Sequence, residues 1–144
     1  MVRAARSANL GSMGARLYLH VTWTTLNRVP SIDGPVQTFL DGFLRTKAKQ
    51  HRANVLAVGM VSDHVHVVVE VGPVFDLPNL MQGLKGASAR LANRDGHAAR
   101  RPLQWSPGYD ARTVGVNQLR SVINYVNTQS THHPDRAIQG ESAL

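Results

Sequence analysis

Val58-Gly59-Met60-Val61-Ser62-Asp63-His64-Val65-His66-Val67-Val68-Val69-Glu70-Val71 consists of two apolar runs parted by a short polar turn. Successive side chains of a strand alternate between faces, so His64, His66, Val68 and Glu70 share one side and Val65, Val67, Val69 and Val71 the other. The valine side suits packing and the histidine side suits chemistry. Same-face neighbours lie about 6 to 7 Å apart along the backbone, a spacing at which two imidazoles can share one metal ion. The polar Ser62-Asp63 turn joins this strand to a preceding one over 54–60, which makes the pair a hairpin.

Upstream, residues 16–25 alternate again, with Leu17, Leu19, Val21 and Trp23 on one face and Tyr18, His20, Thr22 and Thr24 on the other. Val36, Phe39, Leu40, Phe43 and Leu44 recur at helical spacing, which predicts a helix from Gly34 to about Gln50 with basic Arg45, Lys47, Lys49 and Arg52 at its C-terminal end. Downstream of the hairpin, Asp76 is a predicted N-cap. A second helix to about Asn93 then carries an apolar stripe of Leu77, Leu80, Met81, Leu84 and Leu91. Strand-like pieces follow around 103–105 and 109–114. A last helix, capped by Asn117, is expected to bury Leu119, Val122, Ile123 and Val126, and His132-His133-Pro134 ends it. The order is strand, helix, strand, strand, helix, strand, helix. One-sided patterning of the strands predicts an α+β, ferredoxin-like (RRM-like) antiparallel sheet with helices over its apolar face. The other face is expected to expose Tyr18, His20, Thr22, Thr24, His64 and His66. One domain over 16–131 is expected between a polar N-terminal tail, 1–15, and a polar C-terminal tail, 132–144.

The 144 residues suffice for one sizeable core. With no cysteine there is no disulfide framework, thiolate metal site or thiol nucleophile. No apolar run is long enough to cross a bilayer and no signal peptide is recognisable, so a cytoplasmic protein without a membrane partner is expected. Lys and Arg number 16 against 9 Asp and Glu, a formal charge of +7. A surplus of that size favours polyanionic partners, of which nucleic acid is the commonest.

A His-x-His pair is by itself a weak signal, since hydrogen-bonded histidines on a sheet are common. Tyr125 and Gln129 add to it. Four residues apart, they share a helix face on the shoulder of the last apolar stripe. A phenol is a competent nucleophile toward a phosphodiester whose oxygens a divalent cation polarises, and an amide oxygen is a reasonable third ligand beside His64 and His66. The competing reading of Tyr125 is an amphipathic edge residue with its ring in the core and its hydroxyl in water. Two competing readings apply to the whole chain. One is a non-catalytic single-stranded nucleic-acid-binding module using the sheet face. The other, a His-x-His-x-His nucleotide hydrolase, is disfavoured because the third position is Val68.

Asp63-His64-Val65-His66 closing a hairpin, Leu84-Lys85-Gly86 in a helix, Trp105 with Gly108-Tyr109, and Tyr125-Val126-Asn127-Thr128-Gln129 in a last helix resemble the HUH single-tyrosine transposases of the IS200-like insertion sequences and their REP-associated relatives. The resemblance runs from about Tyr18 to Gln129. It implies an enzyme that binds single-stranded DNA, recognises hairpins at element ends, and cuts and rejoins strands. Tyr125 would be the nucleophile forming a 5′-phosphotyrosine link, and His64, His66 and Gln129 would be the ligands of Mg2+ or Mn2+. No nucleotide cofactor is needed, because the covalent link conserves the phosphodiester energy. It also implies a homodimer whose tyrosine helix completes the partner's site. Lys85, Arg90, Arg94, Arg100, Arg101 and Arg112 are candidates to hold the hairpin backbone, and Tyr109 to stack on an unpaired base.

Overall fold

A computed structural model describes residues 15–138. Residues 1–14 of the expected N-terminal tail and 139–144 of the C-terminal one lie outside the described residues. Four strands, β1 (Leu17–Thr24), β2 (Asn54–Val61), β3 (His64–Val71) and β4 (Asp110–Val114), form one sheet in the order β2-β3-β1-β4 with every neighbouring pair antiparallel. That is the ferredoxin-like order predicted from the patterning. Trp105 makes a single bridge to Thr25 rather than joining a strand.

Helix α1 (Gly34–Gln50) begins where Asp33 caps it, its side chain accepting from the Val36 N–H at 3.1 Å. It buries Val36, Leu40, Leu44 and Ala48 against the valine side of the sheet. Asp76 caps the second helical run as expected, accepting from the Asn79 N–H. The run is not one continuous α-helix. It passes from α2 (Leu77–Met81) through a π-helical stretch, Gln82–Ala87, into α3 (Ser88–Arg94). The wider turn moves the buried line to Leu80, Met81, Leu84, Ser88 and Ala92, leaving Leu91 half-buried. Trp23 lies in this core, 2% exposed and edge-on to Trp105, as its place on the apolar face requires.

The histidine side of the sheet is covered too. Between Val55 and Ala57 the β2–β3 register shifts, so Leu56 is an extra residue and the strand's facing reverses beyond it. Val58 and Met60 then turn to the core, opposite Val67 and Val65, while Ala57 and Gly59 face the other way, opposite Val68 and His66. Helix α4 (Leu119–Asn127) lies across that second face, and Ala57, Val68 and Val126 form a separate small cluster edged by Leu56, Leu119, Val122 and Ile123. Of the four stripe residues expected to be buried, only Val126 is fully so. The expected cap, Asn117, instead sits inside a 3-10 turn, Val116–Gln118, that leads into α4 without a side-chain cap.

The same helix overturns the expectation of an exposed polar face. His64 and His66 are only 6% and 8% exposed, and Tyr18, His20, Thr22 and Thr24 are half-buried. After α5 (Gln129–His132) the chain also does not trail away at residue 132. A 3-10 turn, Pro134–Arg136, returns to the hairpin, where the Ser62 N–H donates to the Arg136 carbonyl at 2.8 Å, and Ile138 enters the main core.

Candidate functional site

His64 and His66 open β3, directly after the turn, with their rings 5.1 Å apart. Alternation aims both at the second face, and packing of α4 and α5 over that face buries them. The His64 Nδ1 meets the Asp63 carboxylate at 2.8 Å, and the His66 Nδ1 lies 2.9 Å from His20 Nε2 and 3.2 Å from Thr22 Oγ1. In both rings it is Nδ1 that is engaged, which leaves Nε2 for a further partner.

Helix α4 ends at Asn127 because Thr128 leaves helical geometry (φ −118°, ψ 36°), and Gln129 starts α5. Tyr125 and Gln129 therefore do not share one straight helix face as the spacing predicts. Gln129 turns inward, 2% exposed, while Tyr125 stays at the surface, 39% exposed. The Tyr125 ring stands edge-on to His66 at 5.9 Å and stacks on His132 at 4.5 Å. The Gln129 amide donates from Nε2 to the Tyr125 carbonyl at 3.0 Å, and its buried Oε1 has no hydrogen-bond partner among the described residues. Such an orphaned acceptor is costly unless something else meets it.

No three His, Cys, Asp or Glu side chains among the described residues group closely enough to hold a metal ion. A site here thus requires a donor of another kind, and the unpartnered Gln129 oxygen is one. Two imidazole nitrogens and an amide oxygen make three donors for a divalent cation, with further positions left open.

Burial pushes the His66 pKa down to about 3, with the charges of His64, His20 and His133 adding to the effect. Burial likewise lowers His20 and His133. A histidine whose folded pKa lies below its unfolded value of 6.5 binds fewer protons in the native state. Its contribution to stability is then complete above pH 6.5 and lost as pH falls toward 3, by up to about 1.4 kcal/mol per pH unit. Thermal melts in EDTA should give a midpoint that is flat above pH 7 and declines steadily below pH 6.5, with a shallower decline for His66→Gln. A midpoint independent of pH between 7 and 4 would contradict a neutral, buried ring.

A match to the family model described as "Transposase IS200 like" runs over residues 14–129. The chain belongs to the IS200-like transposase family. Its curated relatives include the ISDra2 transposase TnpA of Deinococcus radiodurans, 29% identical over 118 residues, covering 79% of this chain and 84% of that protein. Two solved structures share the fold. One is a crystal structure of a protein of Deinococcus radiodurans R1 assigned as a transposase (TM-score 0.66, 23% identity, 96% of this chain and 99% of that one). The other is a REP-associated tyrosine transposase bound to a REP hairpin (TM-score 0.59, 11% identity, 92% and 74%).

The basic candidates of this transposase are not gathered in one place. Arg112 lies on β4 directly opposite His20, hence on the histidine side, and pairs with Asp110 at 2.9 Å. Arg90 and Arg94 belong to α3 in the opposite layer, where Arg94 is taken up by Asp95, and Arg100 and Arg101 are exposed in the loop beyond. Lys85 is committed to structure: its ammonium donates to the carbonyls of Ser106 and Gly108, and burial lowers its pKa. Tyr109, 40% exposed, lines a groove of about 530 Å³ with Met81, Lys85 and Trp105. Sequence reasoning gave no role to His20, Thr22, Arg28, Arg136 or His133. Arg28 and Arg136 approach the Asp63 carboxylate at 3.5 and 3.8 Å, and the His133 ring lies 5.1 Å from that of His64. The parity of His20 and Thr22 with the histidine side was available in the sequence, whereas no local signal pointed to the others. No helix among the described residues is long and apolar enough to cross a membrane.

Proposed function

We propose that this transposase is a metal-dependent single-strand DNA transposase that recognises hairpins at the element ends and cuts and rejoins strands through a 5′-phosphotyrosine intermediate. The observation that carries the reading is the buried amide oxygen of Gln129, without a hydrogen-bond partner among the described residues, on the same side of the sheet as His64 and His66 and in a side chain bonded to the Tyr125 carbonyl. His64, His66 and Gln129 hold the ion. When bound, Mg2+ or Mn2+ supplies positive charge at the scissile phosphate.

Tyr125 is the nucleophile. Its oxygen, having given up its proton to water at this exposed position, forms the new bond to phosphorus. The bond from phosphorus to the 3′ oxygen breaks, its electron pair leaves with that oxygen, and a proton completes the 3′-hydroxyl. The reverse attack by a 3′-hydroxyl rejoins the strand and frees the tyrosine without a nucleotide cofactor. The surplus of basic residues, with Arg112 on the same sheet side, supports single-stranded DNA as the substrate. Hairpin recognition rests on likeness to the relative solved with a REP hairpin.

The test is incubation with single-stranded element ends and Mn2+, followed by denaturing electrophoresis. A protein–DNA adduct is expected, and it should vanish with EDTA, in Gln129→Leu, and in His64→Ala combined with His66→Ala. DNA binding that ignores both the chelator and the double variant, without any cleavage, would instead identify a non-catalytic single-strand-binding module.

A further inference from the structure

The two proposed ligand histidines are held from different directions. His64 Nδ1 faces the Asp63 carboxylate at 2.8 Å, with both side chains buried, and Arg28 and Arg136 brace that carboxylate from outside. Among the described residues no carboxylate is hydrogen-bonded to His66, and the acid across the sheet, Asp110 opposite Thr22, acts on His20. Its Nδ1 meets two groups of β1: Thr22, its direct cross-strand partner, and His20, one same-face position along the strand.

We propose that His20 is a positioning residue that fixes the tautomer and ring orientation of His66, as Asp63 does for His64; this rests on the metal reading above. The chemistry is a constraint on protons. A neutral imidazole carries one N–H, and only the other nitrogen has a lone pair for a cation. If the His66 Nδ1–H donates to His20 Nε2, the lone pair of His66 sits on Nε2, the nitrogen no other group occupies. His20 must then carry its own proton on Nδ1; the reverse arrangement, His20 Nε2–H donating to His66 Nδ1, puts the His66 proton on Nε2 and leaves no lone pair there for a cation, so a metal-ready His66 requires the first. Partners that set the proton on a ligand histidine typically change metal affinity about 10- to 100-fold when removed.

The two supports are unequal in kind. A carboxylate orients His64 and sets a negative charge behind its ring, while a neutral imidazole orients His66 without adding charge. Asp63→Asn therefore keeps an acceptor for the His64 N–H but loses the charge. His20→Leu removes the nearer acceptor of His66 and leaves only the Thr22 hydroxyl, which can donate to that nitrogen as well as accept from it, while His20→Gln restores a fixed acceptor through its amide oxygen.

Two measurements on the full-length protein test this. Long-range 1H–15N spectra of the imidazoles, taken without metal, should show His66 as the Nδ1–H tautomer in the parent and in His20→Gln, and as a mixture in His20→Leu. Calorimetric titration with Mn2+ should show affinity 10- to 100-fold weaker for His20→Leu and within a few-fold of the parent for His20→Gln. The proposal is overturned if folded His20→Leu retains the parent's His66 tautomer, or if it binds Mn2+ as tightly as the parent. If the parent binds no Mn2+, the metal reading fails by itself, and the tautomer spectra still decide whether His20 sets the proton on His66.

Discussion

Tyr125→Phe should fold, bind Mn2+ and bind single-stranded DNA like the parent, yet form no covalent adduct, a loss on the order of 10^4-fold or more in strand cleavage. The substitution removes one hydroxyl from a ring that is 39% exposed, and it leaves the edge contact with His66 and the stacking on His132 intact. Stability should change by no more than about 0.5 kcal/mol. An adduct formed by the variant would remove Tyr125 from the mechanism. The same variant tests the homodimer that the family resemblance implies. In this chain α4 lies on its own β2 and β3. If a partner supplies the tyrosine instead, mixing Tyr125→Phe with His66→Ala should recover an adduct that neither forms alone. No recovery from a mixture shown to contain heterodimers would mean that each subunit uses its own tyrosine.

Gly59→Ala should be far more damaging than its size suggests. Gly59 lies opposite His66, and a Cβ there would meet the Val126 carbonyl oxygen at 1.8 Å and the Gln129 Cγ at 3.0 Å. The first obstacle is backbone and cannot rotate aside, so the end of α4 must retreat by at least an ångström or β2 must bend. Overpacking of this kind costs about 1–3 kcal/mol. The larger effect falls on the chemistry, since Gln129 and Tyr125 both ride on the segment that moves, and displacements near 1 Å cost about 100-fold in rate. Adduct formation should therefore fall by two orders of magnitude or more, with a lower melting temperature. Gly42→Ala, in the exposed middle of α1 with open space around its missing Cβ, is the control. It should leave cleavage unchanged and raise stability by about 0.5–1 kcal/mol. Equal behaviour of the two variants would show that α4 does not depend on the missing side chain at position 59.

What the sequence made legible was whatever depends on local periodicity. The alternation in β1 and β3 separated core-facing residues from those of the second face, and Asp76 marked a helix start because its cap acts within one turn. The family, too, was readable from the order of the Asp63–His66, Trp105–Tyr109 and Tyr125–Gln129 motifs. The parts that were not legible depend on long-range fit. A single extra residue at Leu56 reverses the facing of half a strand without altering its composition, so the second cluster around Val68 and Val126 had no local signature. The π-helical stretch is similar: Ser88 is buried because it bonds the Lys85 carbonyl and receives the Trp105 indole N–H, partners no helical wheel contains. The fold brings the Tyr125 ring within 5.9 Å of His66, but the break at Thr128 that sends Gln129 inward and leaves Tyr125 at the surface was invisible in their spacing.

The return of the chain after α5 has a consequence for how the tyrosine segment can move. Its downstream end is fastened twice, by Arg136 at the tip of the β2–β3 hairpin and by Ile138 in the opposite layer. The polypeptide is thereby looped around the rim of the sheet like a belt passed through a buckle. Handing α4 to another subunit would mean either unthreading Ile138, at about 1.5–3 kcal/mol of lost burial, or swinging the helix while the buckle stays shut. The second route would have to bend where the backbone leaves helical geometry, at Gly115 ahead of α4 and at Thr128 behind it.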